Sequence, residues 1–248
     1  MVLEINNLHV CASEKEIIKG ISLILESGKV YAFMGPNGSG KSTLCSALMG
    51  DPTLNVKGSI KLNGKELINL KTNERAKAGM FLAFQNPEEV EGVKASSLIR
   101  KAKSVADSNN DLDKMVKDHE KLVKLCEKLG LDKSFISREI NVGFSGGEKK
   151  RLEILQMSAL KPKVIILDEI DSGLDVDGIK VISKAIKELD DGTRSFLIVT
   201  HYPRILKYIV PNVVHILSNG KIIKSGNAKL AYQIEKDGYA KVKKNAKR

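Results

Sequence analysis

Three short stretches of this 248-residue chain combine residue types that can do chemistry. The first is MGPNGSGKST. Gly35, Pro36, Asn37, Gly38, Ser39, Gly40, Lys41, Ser42 and Thr43 satisfy G-x-x-x-x-G-K-[ST] directly after the apolar run VYAF. Glycines let successive N–H groups curve around a phosphate that any side chain would keep at a distance. Lys41 supplies a point charge to the β- and γ-phosphates of a nucleotide, and Ser42 offers a hydroxyl to Mg²⁺. The second stretch is VIILDE, where Asp168 emerges at the carboxyl end of a buried strand, the place where α/β sheets hold ligands. A hard oxygen ligand there suits Mg²⁺, reached through water. Glu169 is the candidate to orient and deprotonate an attacking water. An apolar run ending in Asp-Glu is a weak signal alone and a strong one beside a phosphate loop.

The third stretch is FSGGE. Ser145, Gly146, Gly147 and Glu148 fit S-x-x-E, a capping box at a helix N-terminus. Two consecutive glycines in a first helical turn each cost up to about 1 kcal/mol relative to alanine, and a cap alone does not need them. They make sense if a triphosphate must press against bare backbone N–H groups, so the chain carries two helix openings fit for phosphate. Two single residues join these stretches. Gln85 follows MFLAF and His201 follows SFLIVT. Either is ordinarily a structural hydrogen-bonder at a strand end, but both emerge beside the nucleotide if their strands neighbour VIILDE.

The surrounding elements decide whether these groups can meet. VLEINNLHV, ISLILE and GSIKLNGKEL read as short strands, the last with an Asn63-Gly64 turn, and KVYAFMG as a buried strand feeding a helix. From about Pro87 to Asn141 the chain turns helical, with 3.6-residue spacing in LIRKAKSVA and KLVKLCEKLGL. Buried strands return in VIILDE and SFLIVTH, alternate with helices such as IKVISKAIKEL, and end in a hairpin turning at Asn219-Gly220. This order predicts an α/β fold with a P-loop core, a mostly parallel sheet, an N-terminal antiparallel β part and an inserted α-helical subdomain. The expected division is 1–85 for the first part of the core, 86–150 for the helical subdomain, and 151–248 for the second part with a basic tail.

Composition narrows the class. No apolar run approaches the roughly 20 residues that span a bilayer, and the N-terminus is unlike a signal peptide, so a soluble, cytoplasmic protein is expected. Cys11, Cys45 and Cys126 are odd in number and widely spaced, which excludes a disulfide framework and a CxxC metal site. The net charge of +11 is spread through Lys-rich helices, and at 4% aromatic the chain offers little for base stacking, so nucleic acid is not expected as a partner.

In order, MGPNGSGKST, Gln85, FSGGE, VIILDE, DSGLD and His201 resemble the complete motif set of the ABC-type ATPases, over essentially the whole chain. That resemblance implies a Mg²⁺-dependent ATPase whose cofactors are ATP and Mg²⁺. It implies a transient, ATP-dependent head-to-tail homodimer in which Ser145, Gly146, Gly147 and Glu148 of one copy close on the ATP held by the other. It gives Gln85 a role in sensing metal and water and His201 a contact to the γ-phosphate. Asp175 crosses the dimer seam in such a dimer, although DSGLD reads equally well as a turn capping the next helix. The wording FSGGEKKR, LDEIDSGLD and VTHYPRIL resembles the ATPases of the SUF iron–sulfur cluster assembly system, which implies SufB-like and SufD-like scaffold partners. The alternatives are the nucleotide-binding subunit of a membrane transporter and a nucleic-acid-associated ABC ATPase.

Overall fold

The computed structural model describes residues 2–106 and 112–245; Asp107–Asp111 of the helical insertion and the end of the basic tail, Ala246–Arg248, lie outside them. The chain forms two compact units, one of Met1–Leu82, Pro162–Ile170 and Asp190–Arg248, the other of Ala83–Lys161 and Asp171–Leu189.

The first unit contains two sheets. In the first, β1 (Val2–Ala12), β2 (Lys15–Glu26), β4 (Leu54–Leu62) and β5 (Lys65–Glu66) run antiparallel in the order β2-β1-β4-β5. Alternation places Leu3, Ile5, Leu8 and Val10 of β1 and Ile18, Ile21, Leu23 and Leu25 of β2 in the core. The second sheet comprises β3 (Lys29–Met34), β6 (Met80–Ala83), β9 (Val164–Asp168), β10 (Ser195–Thr200), β11 (Val213–Ser218) and β12 (Lys221–Gly226), ordered β12-β11-β3-β10-β9-β6. β11, β3, β10 and β9 are parallel, and β12 returns antiparallel. Every residue of β9 and β10 is buried, as expected of parallel strands covered on both faces.

Helix α1 (Lys41–Met49) packs against β9 and carries the phosphate loop at its N-terminus. Its C-terminus is held by a residue that reads as surface in the sequence. Arg75, in α2 (Thr72–Lys77), is 1% exposed. Its guanidinium donates to the carbonyls of Ala47 and Leu48 at 2.8 Å, of Ile68 at 2.9 Å and of Leu70 at 3.0 Å. A cation on the last carbonyls of α1 supplies a donor to Leu48 O, shares Ala47 O with the Gly50 N–H, and complements the helix dipole. Gly50 (φ 77°) leaves room for it, because a Cβ there would sit 2.8 Å from Arg75 Nε. Lysine has one nitrogen where arginine has a fork, so Arg75→Lys is expected to destabilise the protein by about 2–4 kcal/mol. The loss will appear as a lower urea midpoint at unchanged slope.

The second unit contains α3 (Ala95–Ala106), α4 (Leu112–Lys128), α5 (Gly146–Leu160) and α6 (Val176–Leu189), as the 3.6-residue spacing predicts. It also holds a strand pair that the helical spacing does not announce: β7 (Val90–Lys94) pairs antiparallel with β8 (Glu139–Ile140). The partners lie some fifty residues apart, and two-residue β8 has no period to detect. The first unit ends in an unanticipated helix, α7 (Ala228–Asn245), which packs Leu230, Ala231 and Ile234 inward against β11 and β12.

Candidate functional site

Between β3 and α1 the phosphate loop is tight against the protein on one side and open on the other. A Cβ on Gly35 would lie 2.4 Å from Leu217 O and one on Gly40 2.8 Å from Ile18 Cδ1, whereas one on Gly38 would meet nothing within 4 Å. The Ser39 carbonyl accepts from Gly220 N at 3.1 Å, fixing the loop to the β11–β12 turn. Gly40, at φ 103°, opens α1 with no side-chain cap and no acidic residue in the first turn. The start of α1 therefore presents backbone donors and positive dipole with no built-in anion. Lys41, 5% exposed, folds back so that Nζ donates to Gly35 O at 3.0 Å and Pro36 O at 3.3 Å. Ser42 is exposed and Thr43 half-buried just behind it.

The same unit brings three further predicted residues to this loop or its flank. Asp168 ends β9, buried, in register with Val199 of β10. Glu169 follows at φ 47°, a left-handed conformation rare for a residue with a side chain, held by its N–H donating to Val199 O at 2.8 Å. Backbone strain of this kind is kept where it aims a functional group. Glu169 Oε1 lies 3.6 Å from Lys41 Nζ and 3.1 Å from His201 Nδ1. The second contact lies off the hydrogen-bond direction, since His201 Nδ1 makes no hydrogen bond among the described residues. Thr200 Oγ1 donates to Tyr202 O at 2.8 Å and accepts from Tyr202 N at 3.0 Å, which bends the chain at His201. Cys45, buried beneath the loop, has its thiol pushed well above the usual range by burial and by the nearby Asp168 charge. It stays a neutral, unreactive filler of the core.

The remaining predicted residues belong to the second unit. Ser145 caps α5 in the expected capping box: Ser145 Oγ accepts from Glu148 N at 3.3 Å, and Glu148 Oε2 accepts from Ser145 N and Ser145 Oγ, both at 2.8 Å. The Ser145 N–H and hydroxyl hold the Glu148 carboxyl below its usual range. Local packing gives no reason for the two glycines. A Cβ on Gly146 would meet nothing within 4 Å, and one on Gly147 would make an ordinary 3.5 Å contact with Leu174. Asp175 Oδ1 accepts from Gly178 N at 2.7 Å, so DSGLD does cap α6. Gln85 is exposed, and its carbonyl accepts from Lys150 Nζ at 2.6 Å; Phe84 O accepts from the same amine at 2.5 Å. One turn along α5, Glu153 Oε1 accepts from Phe84 N at 2.8 Å. Burial pushes the Glu153 carboxyl up to about 7, against the opposing pull of Phe84 N–H and the Lys150 charge. Lys150 and Glu153 thus bracket the backbone next to Gln85, a role hidden in a run, EKKRLE, that reads as an exposed charged face.

These residues fit ATP and Mg²⁺. Among the described residues Ser39 Oγ is buried without a hydrogen-bond partner, and the open side of Gly38 and the bare start of α1 face the same loop. The hydroxyl of Ser42 and the carboxylate of Asp168 are hard oxygen donors of the kind Mg²⁺ takes alongside water and phosphate. Among the described residues no cluster of three or more His, Cys, Asp and Glu is arranged to hold a metal.

A glycine loop opening a helix beside an Asp-Glu strand end in a parallel sheet defines a P-loop nucleotide hydrolase. A family model described as "ABC transporter" matches residues 18–172. A probable ABC transporter ATP-binding protein of Streptococcus pyogenes serotype M3 is 47% identical, covering 96% of this chain and 94% of that protein. The probable ATP-dependent transporter SufC of Escherichia coli K12 is 46% identical, covering 96% of this chain and 97% of that one. Among solved structures, an ATP-binding cassette of an ABC transporter in its ADP conformation superposes with a TM-score of 0.74 at 26% identity, covering 98% and 97% of the two chains. The chain belongs to the ABC ATPase family and closely resembles SufC. It is an ATPase with the α/β cassette fold. Among the described residues no helix is long and apolar enough to cross a membrane.

Proposed function

We propose that this chain is the energy-transducing ATPase of a SUF-type iron–sulfur cluster assembly complex, acting in the cytoplasm on SufB-like and SufD-like scaffold proteins. The near-full-length 46% identity to the SufC of Escherichia coli carries the reading. The wording FSGGEKKR and LDEIDSGLD points the same way.

In this reading Gly38, Gly40 and Lys41 hold the phosphates, and Lys41 exchanges the carbonyls of Gly35 and Pro36 for phosphate oxygens. Ser42 and Asp168 would hold Mg²⁺ and Gln85 would sense the metal and the attacking water; the ion would supply charge neutralisation at the phosphates. Glu169 takes the proton from the attacking water, and His201 contacts the γ-phosphate. Two copies pack head to tail, and Ser145, Gly146, Gly147 and Glu148 of each close on the nucleotide of the other, with Asp175 at the seam. The glycines that local packing does not require are then explained by what presses on them from outside.

A second reading has its own outcome, because the Streptococcus pyogenes relatives bear the name of ABC transporter ATP-binding proteins. Affinity purification of the tagged chain from its native cells, split into soluble and membrane fractions, separates the two. We expect two mutually related scaffold proteins in the soluble fraction, at roughly stoichiometric yield. Recovery instead of a hydrophobic permease, released only by detergent, would overturn the assembly role and leave a transport ATPase.

A further inference from the structure

The C-terminal helix α7 reaches the site by a route that no motif marks. It stays helical to Asp237, breaks at Gly238 (φ 70°, ψ 168°) and resumes at Tyr239. The break needs glycine for its backbone and not for space, because a Cβ at Gly238 would meet nothing within 4 Å. Its effect is to aim Tyr239 inward. The phenol hydroxyl donates to the carbonyl of His201 at 3.2 Å. The backbone of Gly35, first glycine of the phosphate loop, lies close enough to act on the same phenol, as does the charge of Glu169. Burial pushes the phenol up to about 12, so the hydroxyl keeps its proton and remains a donor at any working pH. A second tie holds α7 to the segment after His201: Lys207 Nζ lies 3.0 Å from Glu235 Oε1.

His201 is held from one side by the Thr200–Tyr202 bend and from the other by this phenol. Its imidazole sits 3.1 Å from the Glu169 carboxylate. We propose that Tyr239 is a positioning residue for ATP hydrolysis, fixing the main chain of His201 so that the imidazole faces Glu169, and that α7 thereby couples the C-terminal end of the chain to the catalytic step. The proposal rests on the placement of His201 at the γ-phosphate. The geometry makes two demands. Losing the hydroxyl must act more on turnover than on nucleotide capture, because the phenol meets the phosphate loop at Gly35, ahead of the cradle at Gly38, Gly40 and Lys41. It must also act through the imidazole, so it must vanish when the imidazole is gone.

The test is Tyr239→Phe, which keeps the ring and removes the hydroxyl, measured alone and in a His201→Ala background. A single neutral hydrogen bond corresponds to about a 2- to 12-fold fall in kcat, with KM for ATP within about twofold of wild type. In the His201→Ala background the same change should alter kcat by less than about 1.5-fold. Unchanged kcat in Tyr239→Phe, or an equal loss in both backgrounds, overturns the proposal. His201→Ala with wild-type turnover overturns the role of His201 itself, and the proposal with it. Gly238→Ala, which keeps the phenol but strains the break, provides an independent variant; it should reproduce the fall in kcat at unchanged ATP affinity, and normal turnover would count against the hook.

Discussion

Replacing Glu169 by Gln is expected to lower kcat for ATP hydrolysis by about 10²- to 10³-fold while ATP affinity stays within about threefold of wild type. The amide matches the carboxylate in shape, and the backbone bond to Val199 O that holds residue 169 in its strained conformation does not involve the side chain. Folding and the loop geometry should therefore survive. What disappears is the negative charge and the capacity to take a proton from water. The variant also separates two readings of the same contacts. If Glu169 merely braces Lys41 and His201, at 3.6 and 3.1 Å, a glutamine oxygen can still face both, and the loss should remain below about tenfold. If Glu169 is the base, no such compensation exists. Affinity should not suffer, because Lys41 is released from a competing carboxylate. Steady-state phosphate release, titration with a fluorescent ATP analogue, and light scattering for a nucleotide-trapped dimer make the measurement. A Glu169→Gln protein that turns over like wild type removes Glu169 from the mechanism.

What can be read from the sequence follows the range of the interactions involved. The phosphate loop, VIILDE and SFLIVTH are legible because each is local: a glycine pattern or an unbroken apolar run declares both the element and its buried end. The capping box at Ser145 is legible for the same reason, and Asp175 does cap α6, as the pattern DSGLD allows. Arg75 is not legible. A guanidinium in a polar helix reads as solvated, and only the return of the chain under α1 gives it four carbonyls in place of water. Tyr239 lies 38 residues from His201, in a segment that reads as a charged tail. Lys150 and Glu153 are hidden differently. Their spacing of three is visible, but which face of α5 is buried depends on Phe84 and Gln85, more than sixty residues earlier. In each case an apparently solvated charged or polar side chain turns inward to satisfy main-chain groups. Burial of such a group is tolerable only where partners are supplied, and a partner distant in sequence leaves no periodic trace.

Two inactive chains should restore activity to each other if each site is shared between copies. Lys41→Ala removes the cation of the phosphate loop, and Gly147→Asp puts bulk and negative charge where a phosphate must approach. Each homodimer has both sites broken. A mixed dimer of the head-to-tail kind has one site with both defects and one with neither, so an equimolar mixture should recover about a quarter of wild-type turnover if sites act independently and pairing is random. The local geometry makes the second variant informative. Gly147 has no left-handed backbone, and a Cβ there makes only an ordinary 3.5 Å contact with Leu174, so its loss of function should not come from misfolding. A urea midpoint close to wild type checks that point. Sequential purification on two different tags shows whether mixed dimers exist, and ATPase activity is then measured on that fraction, where about half of wild-type turnover is expected. Recovery means that the glycines of one copy serve the nucleotide of the other, which explains why Gly146 and Gly147 stand in a helix turn where alanine would fit. No recovery in a fraction proven to contain mixed dimers would leave those glycines working within their own chain, and the head-to-tail arrangement would have to be abandoned.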